Sequence, residues 1–180
     1  MARIRPIPKE RSAVILRNLY DALEHRFGVT PNLFKTMAHR PELLLTFSNV
    51  HKELWTGGVL DPRTKALAAL RTAGVNGCLY ALGLNAPFAR NAGLTDAQLA
   101  ALERDDWPSS GLFDDKDAAV LRLAEKLTRA PASVTDDDIA HLKKWFGDAH
   151  LVELHILIGT ENLLQRIALG LDVEADSAAP

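Results

Sequence analysis

Two helices joined by a glycine-containing break are predicted by residues 60–102, which read LDPRTKALAALRTAGVNGCLYALGLNAPFARNAGLTDAQLAAL. Asp61 and Pro62 form a helix start, because an Asp carboxylate caps free N–H groups and Pro at the first helical position loses no hydrogen bond. Residues 74–77 (GVNG) tolerate left-handed backbone angles and predict a break. A second helix is expected from about Cys78 to Ala92. The single cysteine of the chain would therefore lie in a first helical turn.

Helical periodicity continues through the rest of the chain. Apolar residues between positions 15 and 27 recur at helical spacing and stop at Gly28, a residue that favours helix ends. Thr95–Gln98 and Thr135–Asp138 have the form of capping boxes. The segment from Asp148 to about Gly170 predicts a long, very apolar helix, which we expect to be central or at a subunit contact. Because no segment alternates convincingly with the period of a strand, the predicted fold class is all-α.

Length and composition limit the possible classes of protein. The 180 residues, 47% of them hydrophobic, predict one compact domain spanning residues 1–180. A formal charge of −2 disfavours binding to nucleic acid or to an anionic membrane surface. Without a long apolar run, neither a spanning helix nor a secretory signal is expected, which predicts a cytoplasmic protein. One cysteine and six scattered histidines predict no disulfide and no metal site.

Three segments carry a resemblance to a known family. These are the segment quoted above, PNLFKTMAHRPELL (31–44) and HILIGTENLLQRIALGLDVE (155–174). With their LDPR, NxCxY and AGLT motifs, they resemble the carboxymuconolactone decarboxylase and alkylhydroperoxidase D superfamily. The resemblance covers residues 30–174, leaving 1–29 as an N-terminal helical extension and 175–180 as a frayed tail. It implies an alkylhydroperoxidase D-like multi-helix bundle that forms a homo-oligomer, with dimer, trimer and hexamer all open.

The sequence departs from the catalytic pattern that the resemblance implies. In the peroxidase branch, a CxxC pair forms a disulfide in each turnover, assisted by a His and a Glu. Cys78 occupies the first cysteine position, whereas Ala81 stands at the second, Asn85 at the His and Ala66 at the Glu. A lone thiol can be oxidised to a sulfenic acid but cannot close an internal disulfide, so a two-cysteine peroxidase cycle is not expected. The decarboxylase branch depends on the same His and Glu positions, so its reaction is also in question.

Cys78 itself has two interpretations. At a helix N-terminus, free N–H groups and the helix dipole favour the thiolate, which would make Cys78 a nucleophile. Alternatively, it is a small buried apolar side chain, since free cysteine is among the most buried residue types.

The final predicted helix carries polar residues among leucines and isoleucines. His155, Asn162 and Arg166 share one stripe with Gly159. Glu161 lies on a neighbouring apolar face, where a carboxylate is costly unless it is paired or kept neutral by a raised pKa. Burial would make Glu161 an acid–base candidate; the alternative is an ion pair with Arg166 or across a subunit interface.

Further candidates lie outside that helix. Arg71 could bind a substrate carboxylate or form a salt bridge, and Tyr80 could donate a hydrogen bond to a substrate or simply pack. His51 and Trp55 are interpreted as an exposed pair without a task. The predicted substrate-binding set comprises Arg71, Tyr80, Asn85, Asn162 and Arg166.

The leading hypothesis is a cofactor-independent lyase, decarboxylase or isomerase acting on a small carboxylated or aromatic-derived compound. Arg71 would anchor an anionic group, and His155 and Glu161 would move protons. Cys78 and Tyr80 would shape or polarise the pocket. Two alternatives stay open: a single-cysteine peroxidase that uses Cys78, and a non-catalytic oligomeric binding protein.

Overall fold

The computed structural model describes residues 2–176, and this part of the chain contains α-helices and short 3₁₀ turns but no strand. The prediction of an all-α fold is therefore confirmed. The helices are α1 Arg17–Phe27, α2 Asn32–Met37, α3 Pro41–Thr56, α4 Pro62–Asn76, α5 Leu79–Asn91, α6 Asp96–Glu103, α7 Asp115–Arg129, α8 Asp136–Leu142 and α9 Asp148–Gly170.

Contacts divide the chain into two compact units. The first comprises Met1–Glu53 and Arg166–Pro180, as far as these residues are described, and the second comprises Leu54–Gln165. We predicted a single domain, and this stays a prediction because contact density alone does not test whether either unit folds independently.

The first unit has its own apolar core. Leu16, Tyr20 and Phe34 are almost fully buried there, and the Tyr20 hydroxyl donates a hydrogen bond to the carbonyl of Ile7 (2.8 Å). Gly28 ends α1 at a φ of 77°, as its position in the sequence predicts. The predicted frayed tail lies largely outside the described residues, since the structure describes it only as far as position 176.

Helix α4 forms the centre of the second unit, in which it packs against α5 and α7. Its start follows the predicted chemistry, because the Asp61 carboxylate accepts a hydrogen bond from the Thr64 backbone N–H (2.8 Å) and Pro62 stands at the first helical position. The helix ends at Gly77, in the left-handed conformation with φ 63°. Both sides of α4 are buried, since its alanines let neighbouring helices approach closely.

A buried ion pair fixes the loop that precedes α4. Lys65 Nζ donates to the carbonyl of Gly57 (2.7 Å) and lies 3.2 Å from Glu153 Oε1. The Glu153 carboxylate also accepts from the backbone N–H groups of Val59 and Leu60. Gly58 has a φ of 76° and lies against the Glu153 carboxylate. A Cβ at this position would overlap the carboxylate.

No helix in the described range is both long and apolar enough to cross a membrane. The predicted cytoplasmic location is not tested by this finding and stays a prediction.

Candidate functional site

Cys78 lies between α4 and α5 and is the N-cap residue of α5. Its side chain is fully buried in the second unit. Burial raises the pKa of the Cys78 thiol above its ordinary value, and the negative charge of Glu161 raises it further. The backbone N–H groups of Ala81 and Tyr80 have the opposite effect, but they do not prevail. Of the two interpretations of Cys78, the buried side chain describes this structure. The thiolate is not the resting form, because desolvation outweighs the N-terminal field of the helix.

Glu161 is the carboxyl group whose charge acts on this thiol. It is 3% exposed on α9, and burial raises its pKa to about 7. The side chains of Gln165 and Trp55 lower the pKa of Glu161, but by less than burial raises it. The burial inferred from the apolar face of the helix is confirmed. At neutral pH this carboxyl group is close to half ionised, as suits a general acid–base group.

Cys78 and Glu161 interact electrostatically, since the charge of Glu161 raises the pKa of the thiol. Two negative charges in one desolvated site disfavour each other, so the pair favours a single negative charge. Ala66, at the position where the family resemblance implies a carboxylate, is fully buried in α4. The carboxylate near the thiol therefore comes from α9.

Side-chain amides connect Glu161 to the rest of the second unit. Gln165 Nε2 donates to Glu161 Oε2 (3.4 Å). Asn76 Nδ2 donates to both Gln165 Oε1 (2.7 Å) and Asn162 Oδ1 (3.1 Å), and Asn162 Nδ2 donates to Thr128 Oγ1 (3.1 Å). Of these partners, sequence reasoning had selected only Asn162. Gln165 could have been found from its spacing, because it lies four residues after Glu161 on the same helix and such residues are neighbours.

Trp55 corrects one of our expectations. We expected an exposed residue, but Trp55 is 8% exposed and its ring packs edge-on against Phe88, with centroids 4.6 Å apart. Its indole lowers the pKa of the Glu161 carboxyl group. The reason is that the last turn of α3 joins the core of the second unit, which helical periodicity alone does not reveal.

His51, in the first unit, was likewise expected to be exposed and is buried. Its ring lies edge-on to Phe34, with centroids 5.6 Å apart. Burial and the positive charge of Arg26 lower its pKa to about 3. The imidazole is neutral at physiological pH.

Arg71 is almost fully buried and engaged in ion pairs. Its Nη1 lies 2.5 Å from Asp105 Oδ1 and its Nη2 lies 2.6 Å from Glu125 Oε2. The guanidinium also lies over the Trp107 ring, 5.7 Å from the centroid. The salt-bridge alternative therefore describes Arg71 in this structure, since both terminal nitrogens that would grip a substrate carboxylate have carboxylate partners.

The other predicted site residues occupy varied positions. The Nδ1 of His155, which is half-buried, lies 2.7 Å from the Leu151 carbonyl of its own helix. Tyr80 and Asn85 are half-buried on α5, and Arg166 is exposed on α9. The structure therefore brings Cys78, Glu161 and Asn162 into one connected group, while Arg71 and His155 have the partners described above. Within the described residues, no cluster of three or more His, Cys, Asp or Glu side chains could hold a metal ion.

Solved structures share the architecture of this chain. The alkylhydroperoxidase AhpD core of a peroxidase-related protein from Ralstonia eutropha JMP134 has a TM-score of 0.86, with 19% identity, 99% of this chain and 97% of that chain covered. A cysteine-to-alanine variant of the debrominase Bmp8 in complex with 2,3,4-tribromopyrrole has a TM-score of 0.83, with 18% identity and coverages of 97% and 92%. At these identities, the likeness establishes the fold alone.

Sequence comparison finds a family match in the central part of the chain. The model of the Carboxymuconolactone decarboxylase family matches residues 41–126. An uncharacterized protein of Escherichia coli (strain K12), YnjA, is 32% identical over 117 residues, covering 64% of this chain and 63% of that relative. The chain thus matches less than two thirds of the relative's length. Residues 41–126 therefore match the family whose resemblance the sequence motifs carry.

Proposed function

We propose that this protein is a thiol-dependent enzyme that reduces a small organic hydroperoxide, with Cys78 as the reacting group and Glu161 as its proton acceptor. The observation that carries this proposal is the pairing of a buried thiol with a buried carboxyl group whose pKa is about 7. A base with a pKa near the working pH is effective at removing a proton during the reaction.

In the reactive form of the site, Glu161 carries the negative charge and the Cys78 thiol is neutral. As sulfur attacks, Glu161 takes the thiol proton, so the single negative charge passes from the carboxylate to sulfur. This transfer removes the repulsion that raises the pKa of Cys78. The site therefore does not need a preformed thiolate.

Each step of the proposed reaction is balanced. The sulfur of Cys78 attacks the terminal oxygen of the hydroperoxide; an S–O bond forms, the O–O bond breaks, and the departing alkoxide takes a proton from Glu161. Cys78 becomes a sulfenic acid and the hydroperoxide becomes an alcohol. A small-molecule thiol then displaces water and forms a mixed disulfide, which a second such thiol resolves. An external thiol is required because Cys78 is the only cysteine in the chain.

The lyase, decarboxylase or isomerase hypothesis has less support from the geometry. It assigns Arg71 to an anionic group of the substrate, and the guanidinium of Arg71 is paired with Asp105 and Glu125. It also assigns proton transfer to His155, whose Nδ1 faces a carbonyl of its own helix. The influence of the Glu161 charge on the Cys78 thiol supports the thiol-dependent reaction instead.

A second candidate reaction is the thiol-dependent removal of halogen from a small aromatic ring. Trp55, which lowers the pKa of Glu161, packs against the ring of Phe88, and the debrominase Bmp8 has a similar fold. Sulfur would attack the halogen, the C–halogen bond would break, and the ring carbanion would take a proton from Glu161. An external thiol would then release the halide and form a disulfide with Cys78, which a second thiol would reduce.

The test measures hydroperoxide consumption and bromide release in the presence of excess small-molecule thiol. Wild-type protein should consume cumene hydroperoxide, and Cys78→Ser should abolish this consumption. Bromide release from a brominated pyrrole, instead of hydroperoxide consumption, would select the second candidate. Turnover retained by Cys78→Ser on either substrate, or no turnover of either by the wild type, would overturn thiol-dependent catalysis.

We also propose that the protein is a homo-oligomer that associates through α9. Val152, Ile156 and Leu163 recur on one face of this helix and are 60%, 48% and 48% exposed. Exposed apolar stripes of this kind mark interaction surfaces. Light scattering after size-exclusion chromatography should give more than one chain per particle, and Ile156→Glu should reduce that number; a wild-type monomer at micromolar concentration would contradict the proposal.

A further inference from the structure

The amides beside the site form a chain of hydrogen bonds with a fixed direction. We propose that Asn76 is a positioning residue, which orients Gln165 so that an N–H group, and not a carbonyl oxygen, faces the Glu161 carboxylate. Neither Asn76 nor Gln165 was a candidate from sequence alone. The proposal rests on the proposed function for its effect on rate, whereas its effect on the protonation of Glu161 is independent of any activity.

The direction of the chain starts at Thr128. Its hydroxyl donates to the carbonyl of Ala124 (2.7 Å), which uses its only hydrogen. Its oxygen can therefore only accept from Asn162, and Asn162 Nδ2 lies 3.1 Å away. The same amide nitrogen donates its second hydrogen to the carbonyl of Ile158 (3.0 Å). The oxygen of the Asn162 side chain must then point away from Thr128.

Asn76 transmits this orientation to Gln165. Its Nδ2 group donates to Asn162 Oδ1 (3.1 Å) and to Gln165 Oε1 (2.7 Å), using both hydrogens. With its oxygen held by Asn76, Gln165 turns its NH₂ group toward Glu161 Oε2 (3.4 Å). Asn76 thus acts on Glu161 through Gln165 without touching it.

The orientation matters because an N–H donor favours an ionised carboxylate and a carbonyl oxygen repels it. The groups that act on Glu161 come from three parts of the second unit: the Trp55 indole of α3, the Cys78 thiol at the start of α5, and Gln165 of α9 itself. Among these, Cys78 is the titratable neighbour. Losing the donor would leave Glu161 protonated to a higher pH, where it could not accept the thiol proton.

The experiment is an NMR titration of ¹³C-labelled glutamate carboxyl groups in the full chain, with the Glu161 signal assigned by its loss in Glu161→Gln. Asn76→Leu should raise the pKa of Glu161 by about one unit, because hydrogen bonds to charged groups are the strong ones. Gln165→Leu should raise it by a similar amount, and the double variant should add no further shift. Thr128→Val should give a smaller rise, and Asn91→Leu, on the exposed side of α5, should give none.

Non-additivity is the readout that a merely structural role would not produce. An unchanged pKa of Glu161 in Asn76→Leu, or full additivity of the shifts from Asn76→Leu and Gln165→Leu, would overturn the inference. Should Asn76→Leu fail to fold, an unchanged pKa in Thr128→Val would overturn it instead. A wild type without turnover but with the expected shifts would refute the proposed function and leave the positioning role standing.

Discussion

The charge of Glu161 on α9 raises the pKa of the Cys78 thiol at the start of α5, although 83 residues separate the two in the chain. This relationship is the reason why we propose Glu161 as the proton acceptor of the site. It also means that the protonation of one group controls the other.

The rate of the Cys78 reaction should rise with pH along the ionisation of Glu161. Its pKa is about 7, so the carboxylate that accepts the proton is scarce at pH 5.5 and predominant at pH 8.5. Stopped-flow measurement of Cys78 oxidation by hydroperoxide should therefore show a midpoint near 7. Glu161→Gln should lower the rate about 10²–10⁴-fold and remove this midpoint. A midpoint above 9 in the wild type would instead indicate attack by a preformed thiolate.

Glu161 should also make the folded state less stable as pH rises. Its pKa is raised from 4.5 to about 7 on folding, so between these values the folded state binds more protons than the unfolded state. Stability is lost over this window, by roughly 3 kcal/mol in total. Between pH 5 and pH 8, the free energy of unfolding of the wild type should therefore fall by about this amount relative to that of Glu161→Gln. Urea unfolding at the two pH values measures this difference. Parallel pH dependence of the two proteins would refute the buried charge.

His51 should make the folded state less stable as pH falls below 6.5, which is the opposite of the effect of Glu161. Its pKa is lowered from 6.5 to about 3 on folding, so the unfolded state binds the extra proton first. The contribution is fully present above pH 6.5 and is lost as pH falls toward 3, by roughly 5 kcal/mol. His51→Leu should unfold at lower pH than the wild type in an acid titration followed by circular dichroism. Equal acid midpoints would mean that His51 is not held neutral by burial.

Arg71 should prove to be a structural residue. Arg71→Met removes the partner of Asp105 and Glu125, and we expect a loss of about 2 kcal/mol because both carboxylates remain partly exposed to water. The pH midpoint of Cys78 oxidation should not change. Urea unfolding and steady-state kinetics check these two outcomes. A large rise in KM with unchanged stability would restore the role of Arg71 as a substrate anchor.

Gly58 should be far less tolerant of substitution than Gly28, although both have a positive φ near 77°. Gly28→Ala meets no atom within 4 Å and should cost only the left-handed backbone strain of about 1–2 kcal/mol. Gly58→Ala would in addition push away the Glu153 carboxylate, which holds Lys65 and the N–H of Val59. We expect it to cost at least about 2 kcal/mol more in urea unfolding. Equal costs would show that the Glu153 contacts contribute little.

The start of α4 and the buried state of Glu161 could be predicted from sequence because each depends on neighbours within one or two helical turns. The state of Cys78 could not. Its position at a helix N-terminus was predicted correctly, yet its pKa moves in the opposite direction, because the burial of the thiol depends on segments distant in the chain. Trp55 illustrates the same limit, since only its packing against Phe88 reveals that it is buried.

The sequence by itself determined where the helices begin and end and where the lone thiol lies, through capping residues such as Asp61 and helix-ending glycines such as Gly77. These signals act locally, because a helix end is satisfied by atoms a few residues away. Only the tertiary structure decided that Glu161 accompanies the thiol and that Arg71 pairs with Asp105 and Glu125. Charge and desolvation depend on which distant segments meet, and local backbone chemistry does not encode that.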